Sequence, residues 1–334
     1  MTKIVILGGG SWGTALAIVL SRSHRPHEIA LWARDASLAE SMGRDRENKS
    51  YLPGQQLAAS IHVKSNMQEA AAGADILLGA MPSAHARSVY SLTLPHLEKG
   101  VVFVSATKGL EPSSHARMSE VIRQVVSAKF VSRIAVLSGP SFASEAARGE
   151  PTAVVLASDD LAVASALQEE FAGPSLRLYT NEDVLGVELA GAMKNVMAIA
   201  AGVCQGLGLG SNALAALITR GLAEMTRLCV SLGAQAETLS GLAGLGDLVL
   251  TCTGSLSRNR HVGVELGKGR ALAEILSSMR MVAEGVGTTA PLLSLARESE
   301  IELPITEQVD AILHRGKSPK EAIRDIMERR LKRE

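Results

Sequence analysis

The stretch that decides the fold is KIVILGGGSWGTALA, residues 3–17. It begins with an apolar run rich in β-branched residues, Ile4 to Leu7, and ends in an alanine-rich segment of helical character. Between them stand Gly8, Gly10 and Gly13, spaced as G-x-G-x-x-G. The first glycine permits a tight turn, the second lets backbone approach a pyrophosphate, and the third lets helix and strand pack closely. The helix that follows points its positive end at the phosphate charge. Three glycines in this order, after a strand and before a helix, predict a dinucleotide-binding turn. A glycine turn inside a core without a ligand is the competing reading.

Working outward, KIVILG, EIALWA, DILLGA, VVFVSA, RIAVLSG and TAVVLAS read as strands separated by helix-like segments. They are nearly continuous apolar runs, as expected of strands covered on both faces. Their alternation with helices predicts an α/β fold with a Rossmann-type, doubly wound parallel sheet. From about Tyr179 the β signal fades and alanine- and leucine-rich helical spacing takes over. The expected domains are therefore 1–179, binding the dinucleotide, and 180–334, all-helical. The charged end, MERRLKRE, reads as a solvated helix terminus.

The 334 residues suffice for two domains. With 46% hydrophobic residues and zero formal net charge, the chain can build a large core. That charge balance argues against binding nucleic acid or a membrane surface through bulk charge. Cys204, Cys229 and Cys252 show no metal-finger spacing, so no metal is expected, and they suit a reducing, cytoplasmic compartment. The chain enters its first strand pattern almost at once, with no secretory leader visible. The uncharged run 195–219 is long enough to span a membrane. Gly202, Gly206, Gly208 and Gly210 interrupt it, so two buried helices joined by a glycine-rich turn are expected instead of an integral membrane segment.

Polar residues placed where a doubly wound sheet binds ligands, beyond the strands' carboxyl ends, are the candidate site. The tip of EIALWARD carries Arg34, which suits the 2′-phosphate of NADP, and Asp35, which leaves NAD possible. Lys108 follows one strand, where it can bind an anionic or carbonyl oxygen. Gly139, Ser141 and Ala143 follow the next, and Ser141 also reads as a plain helix cap. In the helical half, Lys194 is the single charge between Glu188 and Arg220. Its helical neighbours are Ala190, Gly191, Met197 and Ala198, so it needs a partner. Asp247, set among glycines and leucines, is the candidate. Thr251, Ser257, Arg258 and Asn259 follow it, and a guanidinium beside hydroxyls and an amide suits a phosphate.

The segments GGGSWGTALA, SATKGL, SGPSFASE, ELAGAMKNVMAIAAG, GLAGLGDLVLTC and SRNR occur in that order. In them the chain resembles the bacterial-type NAD(P)-dependent glycerol-3-phosphate dehydrogenases, nearly from end to end. The resemblance implies interconversion of dihydroxyacetone phosphate and sn-glycerol 3-phosphate for glycerophospholipid synthesis, by a cytoplasmic homodimer. It implies that Lys194 is the proton donor and acceptor, facing the cofactor, with Asp247 holding it and Lys108 stabilising developing charge. Lys108, Gly139, Ser141, Lys194, Asp247, Thr251, Ser257, Arg258 and Asn259 would surround the substrate. Besides the glycines, Ser11, Trp12, Arg34, Lys108, Ala143, Arg258, Val282 and Glu284 would touch NADP or NAD, with Tyr51 a weaker candidate. Arg34 tips the preference toward NADPH. Two rivals differ in chemistry. A hydroxyacid or 6-phosphogluconate-type dehydrogenase would prefer a carboxylate substrate, against which SRNR argues. A non-catalytic nucleotide sensor would not need a Lys194–Asp247 pair.

Overall fold

The computed structural model describes residues 1–127, 129–279 and 281–330. The chain forms two compact units, Met1–Glu188 and Leu189–Glu334. This division lies beyond Tyr179, because the stretch around Tyr179 is itself a sheet strand.

The strands of the first unit are β1 (Thr2–Leu7), β2 (His27–Trp32), β3 (Glu47–Asn48), β4 (Leu52–Gln56), β5 (Ile61–Lys64), β6 (Ile76–Gly79), β7 (Val102–Ser105), β8 (Arg133–Ser138), β9 (Thr152–Ala157) and β10 (Leu176–Asn181). Eight of them form one sheet in the order β10-β9-β8-β7-β6-β1-β2-β5, while β3 and β4 pair separately. Side chains alternate between the faces as strand geometry requires. Ile4 and Ile6 of β1 pack in one core with Leu16, Ile29, Leu31 and Leu78. Val5 and Leu7 pack in another with Ala30, Trp32, Leu77 and Phe103. The sheet grows from β1 to β2 on one side and from β1 to β6 on the other. That reversal marks the place, beyond the carboxyl end of β1, where ligands of such sheets bind.

The sheet departs from the all-parallel expectation at one pair. β9 runs antiparallel to β8, and β10 then runs parallel to β9. The only helix between β8 and β9, Ala143–Arg148, has six residues. It rises about 9 Å, less than half of the ~20 Å length of a six-residue strand. The chain therefore re-enters the sheet from the end at which it left. The short strands β3, β4 and β5, and β10 with its alternating exposure, lack the long apolar runs by which the other six are recognised.

Every regular element of the second unit among its described residues is a helix. Its first helix, Val184–Gly206, starts before the boundary and runs through it. By length and composition this helix could cross a membrane, but 89% of its apolar stretch is buried inside the protein, which is how a core helix behaves. Helix Ser211–Ser231 follows after a short turn. Gly202 and Gly206 do not break the first helix as their composition suggests. They are the places where it meets helix Arg258–Gly267, backbone to backbone. A Cβ on Gly202 would lie 2.0 Å from the Arg260 carbonyl oxygen, and a Cβ on Gly263 would lie 2.0 Å from that of Ile199. Gly206 and Gly267 repeat the contact one turn further on. Glu224 accepts hydrogen bonds from the Ile305 and Thr306 amides at the start of helix Pro304–His314. Helix Pro319–Met327 ends the described fold. Of the charged terminus 327–334, residues 331–334 lie outside the described residues.

The glycine contact makes a direct forecast. Gly263→Ala forces a methyl onto a backbone oxygen and should cost about 1–3 kcal/mol through overpacking. Gly287→Ala, on an exposed helix position with nothing within 4 Å, should be neutral or slightly stabilising. Thermal unfolding of the two variants beside the parent checks this. Equal melting temperatures would show that the helices do not need their close approach.

Candidate active site

The turn after β1 is built by exclusion. Gly8 has φ 131°, in the region that glycine alone enters readily, and its missing Cβ would lie 2.9 Å from the Ala80 carbonyl oxygen. A Cβ on Gly13 would lie 2.0 Å from the Gly8 oxygen, so strand and helix touch there. Gly10 differs, because a Cβ there would meet nothing within 4 Å. Packing does not require glycine at that point, whereas the close approach of a ligand would. Gly10 is also the N-cap of helix Ser11–Leu20 and gives it no side-chain cap bond. The helix start thus keeps amide donors for an anion. Ser11 and Trp12 stand half-buried at this start, and the buried Trp12 Nε1 has no hydrogen-bond partner. An open glycine, an uncapped helix and an orphaned donor together fit a dinucleotide.

At the end of β2 the two charges part ways. Asp35 Oδ1 accepts from the Ser37 and Leu38 amides at 2.9 and 3.1 Å and from the Ser37 hydroxyl, capping helix Ala36–Asp45. These bonds, the Ser37 hydroxyl first, hold its carboxyl below the usual range. Arg34 is exposed and makes no hydrogen bond to a described residue. The half-buried Tyr51 follows Asn48, whose Oδ1 accepts from the Tyr51 amide at 3.1 Å. Asn48 is fully buried and also donates to the Gly9 carbonyl at 2.9 Å and the Thr14 hydroxyl at 2.8 Å. Sequence reading missed Asn48, since nothing local distinguishes it from a loop asparagine.

Beyond β7 and β8, two donors converge on one oxygen. Lys108 Nζ and Ser141 Oγ each donate to the Gly139 carbonyl at 2.8 Å. Ser141 is therefore not the cap of helix Ala143–Arg148. Phe142 holds that position, and half-buried Ala143 begins the helix.

In the second unit, Lys194 is 6% exposed and Asp247 1%. Lys194 Nζ donates to Asp247 Oδ1 and to Thr251 Oγ1, both at 2.8 Å, and the threonine hydroxyl lies 3.2 Å from the same carboxylate oxygen. Asp247 and Thr251 lie one turn apart on helix Asp247–Thr253, which follows a π-helical turn, Leu242–Gly246. Such turns recur at functional sites. Burial pushes the neighbouring Cys252 thiol up to about 12, with Lys194 opposing the shift. Cys252 thus stays protonated and offers no competing base.

The SRNR segment divides its labour. Ser257 Oγ accepts from the Arg260 amide and caps helix Arg258–Gly267, so it serves the helix directly. Arg258, the first residue of that helix, is exposed at its surface. Enough protein surrounds it to lower its pKa by desolvation, which Glu284 opposes. Buried Asn259 Nδ2 donates to Asn195 Oδ1 at 2.9 Å, and its Oδ1 accepts from the Gly285 amide at 2.9 Å. Sequence reading passed over Asn195, although a lone amide beside Lys194 on an apolar helix must find partners. Glu284 begins helix Glu284–Glu298, and exposed Val282 lies just before it. In the second unit, a buried ammonium, two paired amides and a guanidinium at a helix start thus suit a substrate with both a carbonyl and a phosphate.

Comparison with known proteins agrees with this chemistry. Residues 3–164 match the family described as NAD-dependent glycerol-3-phosphate dehydrogenase N-terminus, and residues 183–324 its C-terminus. A Koribacter versatilis protein named glycerol-3-phosphate dehydrogenase, NAD(P)+, is 54% identical over 330 residues, covering 98% of each chain. A protein of the same name from Geobacter sulfurreducens is 51% identical over 332 residues, covering 99% of this chain and 98% of its own. The crystal structure of glycerol-3-phosphate dehydrogenase from Coxiella burnetii superposes with a TM-score of 0.93 at 40% identity, covering 98% of this chain and 99% of that one. With both halves matched and relatives above half identity along its length, this chain belongs to the NAD(P)-dependent glycerol-3-phosphate dehydrogenase family.

Proposed function

We propose that Lys194 is the acid–base residue of the reaction this chain catalyses, the interconversion of dihydroxyacetone phosphate and sn-glycerol 3-phosphate with NAD(P)H. The observation that carries this reading is the buried ammonium held by Asp247 and Thr251. An ion pair so deeply buried is expensive to desolvate and is weak as a stabilising device.

Bound NAD(P)H supplies the hydride. In the reducing direction, Lys194 donates a hydrogen bond to the ketone oxygen and passes its proton to that oxygen as the carbon is reduced. Asp247 and Thr251 fix the position of Nζ. In the oxidising direction, neutral Lys194 takes the hydroxyl proton. Arg258 binds the substrate phosphate through charge-assisted hydrogen bonds, and the amides at the start of its helix add donors. The Asn195–Asn259 pair locks that helix start beside Lys194, so phosphate and ketone are held at a set separation. In the first unit, the turn Gly8–Gly13 with Ser11 and Trp12 takes the pyrophosphate. Arg34, with Asp35 committed to a cap, takes the 2′-phosphate of NADPH. Lys108 provides a cation beyond the strand ends for an anionic or carbonyl oxygen. We infer a cytoplasmic homodimer feeding glycerophospholipid synthesis. The free cysteines Cys204, Cys229 and Cys252 suit the reducing compartment, and the family resemblance supports the dimer and the role.

Lys194→Met should lower kcat by at least ~100-fold, while NADPH binding measured by titration stays at the parental affinity. Retention of a tenth of the parental kcat would remove Lys194 from the proton transfer.

Arg258→Ala should reduce kcat/KM for dihydroxyacetone phosphate at least ~10-fold, as expected when a charge-assisted bond to an anion is lost. Dihydroxyacetone has the same ketone and no phosphate, so its slower turnover should barely change at saturating cofactor. Equal losses for the two substrates would reassign Arg258 to the cofactor or the fold.

Replacing Arg34 with Gln should raise KM for NADPH more than KM for NADH, since only NADPH carries the 2′-phosphate. Parallel changes for both cofactors would show that Arg34 does not read that group.

A further inference from the structure

We propose that Asn48 is a positioning residue for the cofactor. It locks the glycine turn into its phosphate-accepting shape and ties that turn to the segment carrying Tyr51. The inference rests on the reading that NAD(P)H binds at this turn, and it assigns a role to a residue that neither touches the phosphates nor belongs to the glycine motif.

The Asn48 side chain spends its amide fully. One asparagine amide has two N–H donors and one carbonyl acceptor. Nδ2 donates to the Gly9 carbonyl at 2.9 Å and to Thr14 Oγ1 at 2.8 Å, and Oδ1 accepts from the Tyr51 amide. The side chain is fully buried, so water does not stand in for any of these partners. Gly9 is the central residue of the turn, and Thr14 lies in the first turn of the helix that follows. One amide therefore grips both sides of the phosphate-binding loop.

The Gly9 contact has a directional consequence. In a planar trans peptide the carbonyl of one residue and the N–H of the next point in opposite directions, and this chain has no cis peptide bonds. Pulling the Gly9 oxygen toward Asn48 therefore turns the Gly10 N–H away from it. The three consecutive glycines, Gly8, Gly9 and Gly10, would otherwise rotate that peptide at little cost. Ordering a loose loop would then be charged against cofactor affinity. Asn48 does that ordering before the cofactor arrives.

Asn48 itself has a firm base. Arg46 begins the excursion that holds β3 and β4, and its guanidinium donates to the carbonyls of Leu57, Ala58 and Ile61 at the excursion's far end. Leu52 and Leu57 of the same excursion are buried in the sheet's core. A movement of the Tyr51 segment would therefore be felt at Gly9 through a short, rigid link.

The test uses the full-length protein with NADPH as the probe. Asn48→Asp keeps the shape and the acceptor for Tyr51 but faces the Gly9 oxygen with another acceptor. Thr14→Val removes one partner with no change of shape, and Thr14→Ser restores the hydroxyl. NADPH Kd by titration should rise on the order of tenfold for Asn48→Asp and a few-fold for Thr14→Val, as expected for broken buried hydrogen bonds. Thr14→Ser should match the parent. At saturating NADPH, kcat should stay within about threefold of the parent for all variants, because only the cost of ordering the turn has changed. A Kd within twofold of the parent for both Asn48→Asp and Thr14→Val, whatever their melting temperatures, would overturn the proposal and leave Asn48 as fold support. If Asn48→Asp does not fold, the Thr14→Val and Thr14→Ser pair decides the matter. Failure of the parent to bind NADPH would instead overturn the cofactor reading on which this inference stands.

Discussion

A buried ammonium is the constraint around which the second unit is arranged. Lys194 sits on a helix where its neighbours three and four residues away are small or apolar, and an unpaired charge there would be untenable. Asp247 and Thr251 must be delivered to it, and both come from one face of a single helix turn. The same core helix then has to hold its neighbour close enough for Asn195 to bond Asn259. Gly202, Gly206, Gly263 and Gly267 permit that approach by leaving no side chains between the two backbones. Charge pairing and helix packing are thus two parts of one arrangement, and disturbing the packing moves the amides as well.

In the first unit the governing constraint is backbone shape. The turn after β1 works only if Gly8 reaches a conformation open to glycine and Gly13 lets helix meet strand. Around it, polar side chains are committed to particular backbone groups. Asp35 caps a helix, Ser141 and Lys108 share the Gly139 oxygen, and Asn48 bonds Gly9 and Thr14. Residues that look interchangeable as polar loop positions have thereby been sorted into those that shape the site and those left open to a ligand. Asp35 belongs to the first group, whereas Arg34 is exposed and makes no hydrogen bond to a described residue.

Much of this was legible in the chain itself because it depends on local order. The glycine spacing, the apolar runs of six strands and the isolation of Lys194 are properties of short windows, and each has a direct physical consequence. The order of the motifs also carried the family resemblance without any structure. What local order does not carry is direction and partnership. The reversal of β9 depends on a helix too short to cross the sheet. Ser141 reads as a cap until its hydroxyl is seen to turn back on Gly139.

The sequence by itself determined that a strand, a tight glycine turn and a helix would follow one another, and that Lys194 would need a counter-charge. Both follow from the steric and electrostatic limits of single residues. Asp247 was legible as the candidate for that charge, and only the tertiary structure brought it to Lys194, added Thr251 and found Asn48 for the glycine turn. Asn48 reaches Gly9 across 39 positions and Thr14 across 34, and Lys194 reaches Asp247 across 53. Gly202 and Gly206 read as helix breakers in isolation and become a backbone-to-backbone contact between two helices once folded. The reason is that a glycine's or an amide's effect is set by what lies opposite it, and the folded chain brings that partner from far away in sequence.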